Sequence, residues 1–335
     1  MDPVDLVGLT RRLVDIESTT GLEAEVCAEM ATVLETRGYT VHRQVVSGAR
    51  TNLLASVDGQ EPALVFSTHL DCVPPFIPSR LEGDRLFGRG ACDAKGIAVS
   101  QLGAAEALRA SGVAGVGLLF VVGEERGSDG ALAANGLPTG RCRFLVNGEP
   151  TEGKLALGHR GAYRVRLRAT GRAAHSAYPE LGDSAIEKLL DALATLRAME
   201  FPSDPVLGRT QCNIGLLEGG VAPNVVPPSA MADLLIRLVT PVDDVRARLA
   251  VLEPGVTVED VYHVDALHMQ GLPGFETEVV GYTTDAPLLG NWGTRLMYGP
   301  GSIHVAHTDH EYVDVAVLLR AVDDYQRIAR QLLEE

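Results

Sequence analysis

Ala162-Tyr163-Arg164-Val165-Arg166-Leu167-Arg168-Ala169-Thr170 alternates apolar with charged side chains along most of its length. A period of two suits an antiparallel strand with one packed face and one wet face. The chain before this stretch has a different character. Strand-like runs at Thr40–Val46, Asn52–Val57, Ala63–Thr68, Val116–Val122 and Arg143–Val146 are interleaved with helical stretches at Gly96–Ser111 and Asp129–Asn135. That alternation predicts an α/β sheet covered on both faces. Two amphipathic segments precede it, one carrying Leu6, Leu9, Leu13 and Ile16, the other running from about Leu22 to Arg37 and stopping at Gly38.

After the alternating stretch come a helix at Asp183–Met199, strands at Gln211–Glu218 and Met231–Leu238, a helix at Val242–Leu252 and a strand at Val256–Tyr262. With the first strand this is the β-α-β-β-α-β order of a ferredoxin-like unit. Regularity fades from about Asp265 until a strand at Thr294–Tyr298, the loop Gly299-Pro300-Gly301 and a closing helix at Val313–Leu333. This tail needs a sheet to join, and the economical fold returns it to the first one. The expected architecture is therefore α/β with two domains. Residues 1–160 and 265–335 form one domain, and 161–264 form an inserted ferredoxin-like α+β domain.

A chain of 335 residues with 46% hydrophobic content and no low-complexity stretch is folded throughout. A formal charge of −15 argues against nucleic acid or an anionic membrane as partner, because both select clustered Lys and Arg. Charges at Asp2, Asp5, Arg11, Arg12, Asp15 and Glu17 interrupt any N-terminal apolar run, so no signal peptide or membrane span is expected and a cytoplasmic location follows. Cys27, Cys72, Cys92, Cys142 and Cys212 are odd in number and lack CxxC spacing, which favours reduced packing residues over disulfides, a thiolate metal site or a nucleophile.

Five polar clusters punctuate this apolar background, most of them directly after strand-like runs, where α/β proteins place their sites. His69-Leu70-Asp71 offers an imidazole ligand and a carboxylate that can brace its second nitrogen. Asp93, in the glycine-rich turn Gly88–Gly96, can bridge two ions or cap the following helix. In Gly123-Glu124-Glu125 adjacent like charges suit a division of labour, Glu125 binding metal and Glu124 moving a proton. Glu149 ends another strand, and His307 offers a second imidazole, with His304 as its competitor in the same loop. Taken singly, each cluster is more commonly a polar strand end, a cap or a surface loop. Together, two His and three carboxylates around one Asp fit a metal pair about 3.5 to 4 Å apart.

In that combination the chain resembles the zinc-dependent M20 peptidase and deacylase family, particularly its acetylornithine deacetylase and succinyl-diaminopimelate desuccinylase group. The resemblance covers nearly the whole chain and implies a catalytic domain interrupted by a ferredoxin-like domain through which two chains dimerise. It implies two Zn2+ ions, with Co2+ or Mn2+ as substitutes. His69, Asp93 and Glu149 would hold one ion and Asp93, Glu125 and His307 the other, with Asp71 as brace and Glu124 as general base. Gly171-Arg172-Ala173-Ala174-His175-Ser176 is similar to the family's segment whose histidine steadies the oxyanion across a dimer interface, which nominates His175. Asn224 in Gly219–Pro227, Arg237 and Gly301 resemble its substrate-binding positions, Arg237 pairing with a carboxylate.

What this implies is hydrolysis of an N-acyl amino acid. Ala156–Gly161 and Tyr298–Gly301 look most like the branch that deacetylates N-acetylornithine in arginine biosynthesis. N-acetylcitrulline, N-acetyllysine, carrier-protein-linked lysine or ornithine, N-succinyl-diaminopimelate and dipeptides are the alternative substrates. A catalytically silent binding protein is the alternative class. The chain departs from the family pattern at Gly123, where an acidic residue is common, at Ser302-Ile303-His304 and in a short segment between Tyr262 and Thr294.

Overall fold

The structure, a computed structural model, describes residues 2–253 and 255–334; Met1, Pro254 and Glu335, two of them limits of the expected domains, lie outside. The described chain divides into two compact units. One comprises residues to Leu157 with Met269–Glu278 and Thr284 onward, the other Gly158–His268 with Val279–Thr283.

The first unit is built on a six-stranded sheet in the order Thr40–Ser47, Arg50–Ser56, Val116–Val121, Leu64–His69, Phe144–Asn147, Thr294–Met297. The last four strands run parallel and the first two form an antiparallel hairpin at the edge. Every residue of Leu64–His69 and Val116–Val121 is buried, because both faces are covered. Phe66, Leu118, Phe120 and Val146 pack on one side with helices Pro3–Val14, Ala24–Thr36, Lys95–Ala110 and Val315–Glu334. Val65, Leu119, Val121 and Leu145 face the other side, toward Ala131, Ala134, Leu289 and Trp292. The alternation of side chains along each strand thus separates two apolar layers.

In the second unit, strands Gln211–Gly219, Ser229–Leu238, Gly161–Thr170 and Thr257–Val264 form an antiparallel sheet in that spatial order. Tyr163, Val165, Leu167 and Ala169 join Ala232, Leu234 and Ile236 against Leu189, Leu193, Leu196, Val245 and Leu249 of helices Ala185–Ala198 and Val242–Leu249. Arg164, Arg166 and Arg168 occupy the alternate positions. The connectivity and strand order are ferredoxin-like, so the alternating stretch has the wet and dry faces its sequence requires.

Three short strands at Arg80–Glu82, Arg85–Phe87 and Tyr312–Asp314 form a further small sheet. The helix expected from Val313 begins instead at Val315, after the last of these strands. Among the described residues no helix is long and apolar enough to cross a membrane.

Candidate metal centre and active site

Strand register brings the polar clusters to one level. Parallel pairing sets His69 beside Val121 and Ser67 beside Asn147. Glu149, two residues past Asn147, therefore stands level with His69, and Glu124 and Glu125 follow Val121 by a short turn. Met297 pairs with Asn147 in turn, so the loop leading to His307 leaves the sheet at the same edge. All four are carboxyl ends of parallel strands, where α/β sheets open a crevice.

Asp93 lies at the centre of the cluster. Its Oδ1 is 3.0 Å from His69 Nε2, and its Oδ2 is 3.4 Å from His307 Nε2. His307 Nε2 is also 2.9 Å from Glu125 Oε1. Ligand atoms of His69, Asp93 and Glu125 lie within 4.8 Å of one another. Glu149 is buried, its Oε1 accepting from Asn147 Nδ2 at 3.4 Å. His304 is exposed on the same loop as His307, its backbone N–H donating to Ser302 Oγ at 3.3 Å. His307 is the loop imidazole that meets the acidic cluster, and it does so at φ 63°, a left-handed conformation uncommon for a side-chain-bearing residue.

Asp71 presents two groups to His69. The atom closest to His69 Nδ1 is the Asp71 carbonyl oxygen at 3.0 Å, with the carboxylate at 3.5 Å. The carboxylate also accepts the backbone N–H groups of Glu124 and Glu125, each at 3.1 Å, and the Thr20 hydroxyl at 2.8 Å. The Asp71 carboxylate thus pairs with His69 Nδ1 and anchors the Glu pair at the same time. Asp93 does not cap the helix that follows it: the cap position is Ala94, and the Asp93–Ala94 peptide is cis. The buried Lys95 ammonium donates to the Ile16 carbonyl at 2.8 Å.

The electrostatics are those of an anion-rich pocket. Burial pushes Glu124 and Glu149 well above the usual carboxylate range, and the proximity of other acids adds to it. Burial also raises Glu125, against the His307 hydrogen bond that lowers it. Asp93 moves the other way: burial opposes its charge, but hydrogen bonds from His307 and His69 hold it low. His307 is pushed up to about 10 by its bonds to Asp93 and Glu125. A divalent cation would neutralise this crowding, and imidazole nitrogen with carboxylate oxygen suits zinc, cobalt or manganese, so the residues fit a metal pair.

Two acidic residues of this region carried no sequence signal. Glu311 is 1% exposed and sits against the Asp93 loop. Asp285, also buried, is pushed up to about 7 by burial, with the charges of Asp71 and Asp129 nearby. The departure at Gly123 has a steric reason. Its φ is 80°, and a Cβ there would lie 2.1 Å from Asp129 Oδ1 and 2.6 Å from Arg50 Nη2. Arg50 pairs with both Asp129 and the buried Glu23, so the acidic group near this turn comes from Asp129. At Gly301, φ 82°, a Cβ would lie 2.5 Å from Cys92 Sγ, and the carbonyl accepts from Glu152 N–H at 2.7 Å. Burial pushes the Cys72 thiol to about 11 and raises Cys92 as well, which keeps both protonated packing groups.

The second unit holds the remaining candidates in two places. His175 and Asn224 lie on adjoining exposed loops, joined by a His175–Val225 bridge and by Ser176 N–H donating to the Asn224 carbonyl at 3.0 Å. Arg237 lies near the far end of Ser229–Leu238, its Nη1 donating to Thr283 Oγ1 at 3.3 Å. Within one chain the three are not brought together.

The model for Peptidase family M20/M25/M40 matches residues 65–331. A protein of Aspergillus clavatus named "Probable carboxypeptidase" is 40% identical over 98% of this chain and 83% of its own length. Among solved structures, a tripeptidase of Staphylococcus aureus superposes with a TM-score of 0.80 at 20% identity, covering 98% of this chain and 99% of that one. A Bacillus subtilis protein described as a dinuclear metal binding peptidase from the M20 family gives 0.74 at 16% identity, covering 99% and 98%.

Proposed function

The chain belongs to the M20/M25/M40 peptidase family, hydrolases of amide and peptide bonds, and from that premise we propose that it uses two metal ions to release an amino acid with a free carboxylate from its N-acyl form. The observation that carries this reading is the Asp93 carboxylate, whose two oxygens face two different imidazoles. His69, Asp93 and Glu149 would hold one ion and Asp93, Glu125 and His307 the other. Bound there, the ions supply Lewis acidity for the acyl carbonyl and for water.

The chain's own groups do the rest. Glu124, anchored through its backbone N–H on Asp71, takes the proton of the attacking water and delivers it to the leaving nitrogen. Arg237 pairs with the free carboxylate of the substrate, and His175 donates to the developing oxyanion. Bond cleavage yields a carboxylate from the acyl half and an amine on the amino-acid half.

N-acetylornithine is the first substrate to assay, on the strength of the Ala156–Gly161 and Tyr298–Gly301 motifs. The name of the Aspergillus clavatus relative favours a second reading, the C-terminal residue of short peptides. Both substrates present an acyl–NH bond beside a carboxylate. Amine release from N-acetylornithine and from N-blocked dipeptides, before chelation, after it and after zinc or cobalt is restored, tests the proposal. Chelator-sensitive turnover restored by metal is expected, and the preferred substrate separates the two readings. Activity unchanged by full metal removal overturns the metal mechanism, and binding without turnover across the panel favours the silent protein.

A further inference from the structure

We infer that Glu311 is a positioning residue for the metal centre: its carboxylate ties the loop carrying Asp93 to the loop carrying His307 and holds both ligands in place before any ion arrives. The inference rests on the metal-site reading above and adds a residue to it.

Glu311 Oε1 accepts three backbone N–H groups, from Gly90 at 2.9 Å, Cys92 at 3.1 Å and Asp93 at 3.1 Å. Its Oε2 accepts from Arg89 Nη1 at 2.6 Å, and both side chains of that pair are buried. The main chain adds a second tie, because the Glu311 carbonyl accepts Gly88 N–H at 3.1 Å, continuing the pairing of Tyr312–Asp314 with Arg85–Phe87. Convergent amides in a glycine-rich turn form an anion-binding concavity, here filled by the protein's own carboxylate.

The Asp93 amide is one of the three donors, so Glu311 fixes the backbone from which the bridging carboxylate projects. His307 precedes Glu311 by one short turn and has a left-handed backbone, a conformation that persists where surrounding contacts impose it. The clamp therefore acts at both ends on ligands of the shared ion without touching the ion or the substrate.

Gln at this position can offer one carbonyl oxygen to the amides but then presents an N–H group to Arg89. Asp keeps the charge and is too short to span the nest. The first measurement uses metal-free protein: hydrogen exchange across residues 88–95 is expected to be roughly tenfold faster in Glu311→Gln, with residues 64–69 and 116–121 unchanged. The second is a cobalt titration followed by d–d absorption, in which affinity falls about 10- to 100-fold. At saturating metal kcat recovers and KM stays unchanged.

A folded Glu311→Gln protein with native exchange over 88–95 and native cobalt affinity overturns the inference. If that variant does not fold, Glu311→Asp is judged on the same two measurements. Failure of the unaltered chain to bind cobalt would sink the metal-site reading instead, and the exchange comparison would still decide whether Glu311 holds the loop.

Discussion

Glu124 and Glu125 are neighbours in sequence with different partners. Glu125 reaches His307, whereas the charge of Glu124 is opposed by burial and by Glu149. Their substitutions should separate accordingly. Glu124→Gln is expected to lower kcat by about 10^2- to 10^4-fold with metal content intact, the range for losing a general base. Glu125→Gln should lower the metal bound per chain, and His304→Ala should leave it unchanged. Metal analysis beside steady-state kinetics checks all three, and equal metal loss in both Glu variants would refute the division of roles. The candidate ligands His69, Glu125 and Glu149 were legible because they end or follow apolar strands, and Asp93 because it lies in a glycine-rich turn. The Asp71 carbonyl beside His69 Nδ1 was not, because a main-chain acceptor has no residue-type signature. Glu311 was invisible for the same reason, its main partners being backbone amides more than two hundred positions away in sequence.

Long elements could be read from their periods, and very short ones could not. The strand Gly161–Thr170 shows its alternation over ten residues, whereas Arg80–Glu82, Arg85–Phe87 and Tyr312–Asp314 have three each, too few to display a period. The wet face of the alternating strand carries its own electrostatics. Asp233, on the neighbouring strand, accepts from Arg166 at 2.6 and 2.9 Å and from Arg164 at 2.7 Å. Those guanidinium bonds hold its carboxyl well below the ordinary value of 3.8. A depressed carboxylate stabilises the fold above its unfolded pKa, and the contribution is lost as pH falls through the folded one. Asp233→Asn should therefore lower the melting temperature at neutral pH, and the gap from the unaltered chain should narrow progressively below pH 3.8. A gap that stays constant down to about pH 2 would show that the charge is not what stabilises the sheet.

At the scale of the whole molecule, His175 and Asn224 adjoin the Ser229 end of Ser229–Leu238, while Arg237 is at the other, eight residues along the strand. At about 3.3 Å per residue the separation is roughly 26 Å, too far for one small substrate to touch both ends. If His175 and Arg237 serve one reaction, two chains must share each site. The edge strand Gln211–Gly219 offers a surface for that union, with Leu216 52% and Leu217 57% exposed beside unpaired backbone. The test mixes two inactive variants, His175→Ala and Glu124→Gln, after dissociating and reassociating the chains. In a two-fold dimer with His175 acting across the interface, each mixed dimer regains one intact site and one doubly altered site. Random pairing then restores about a quarter of the native activity. If His175 acts within its own chain, no pairing places a native His175 beside a native Glu124, and the mixture stays as inactive as its components. Light scattering on the same samples shows whether dimers formed, so a silent mixture of dimers rejects the shared site and a fully active monomer of the unaltered chain rejects the dimer itself.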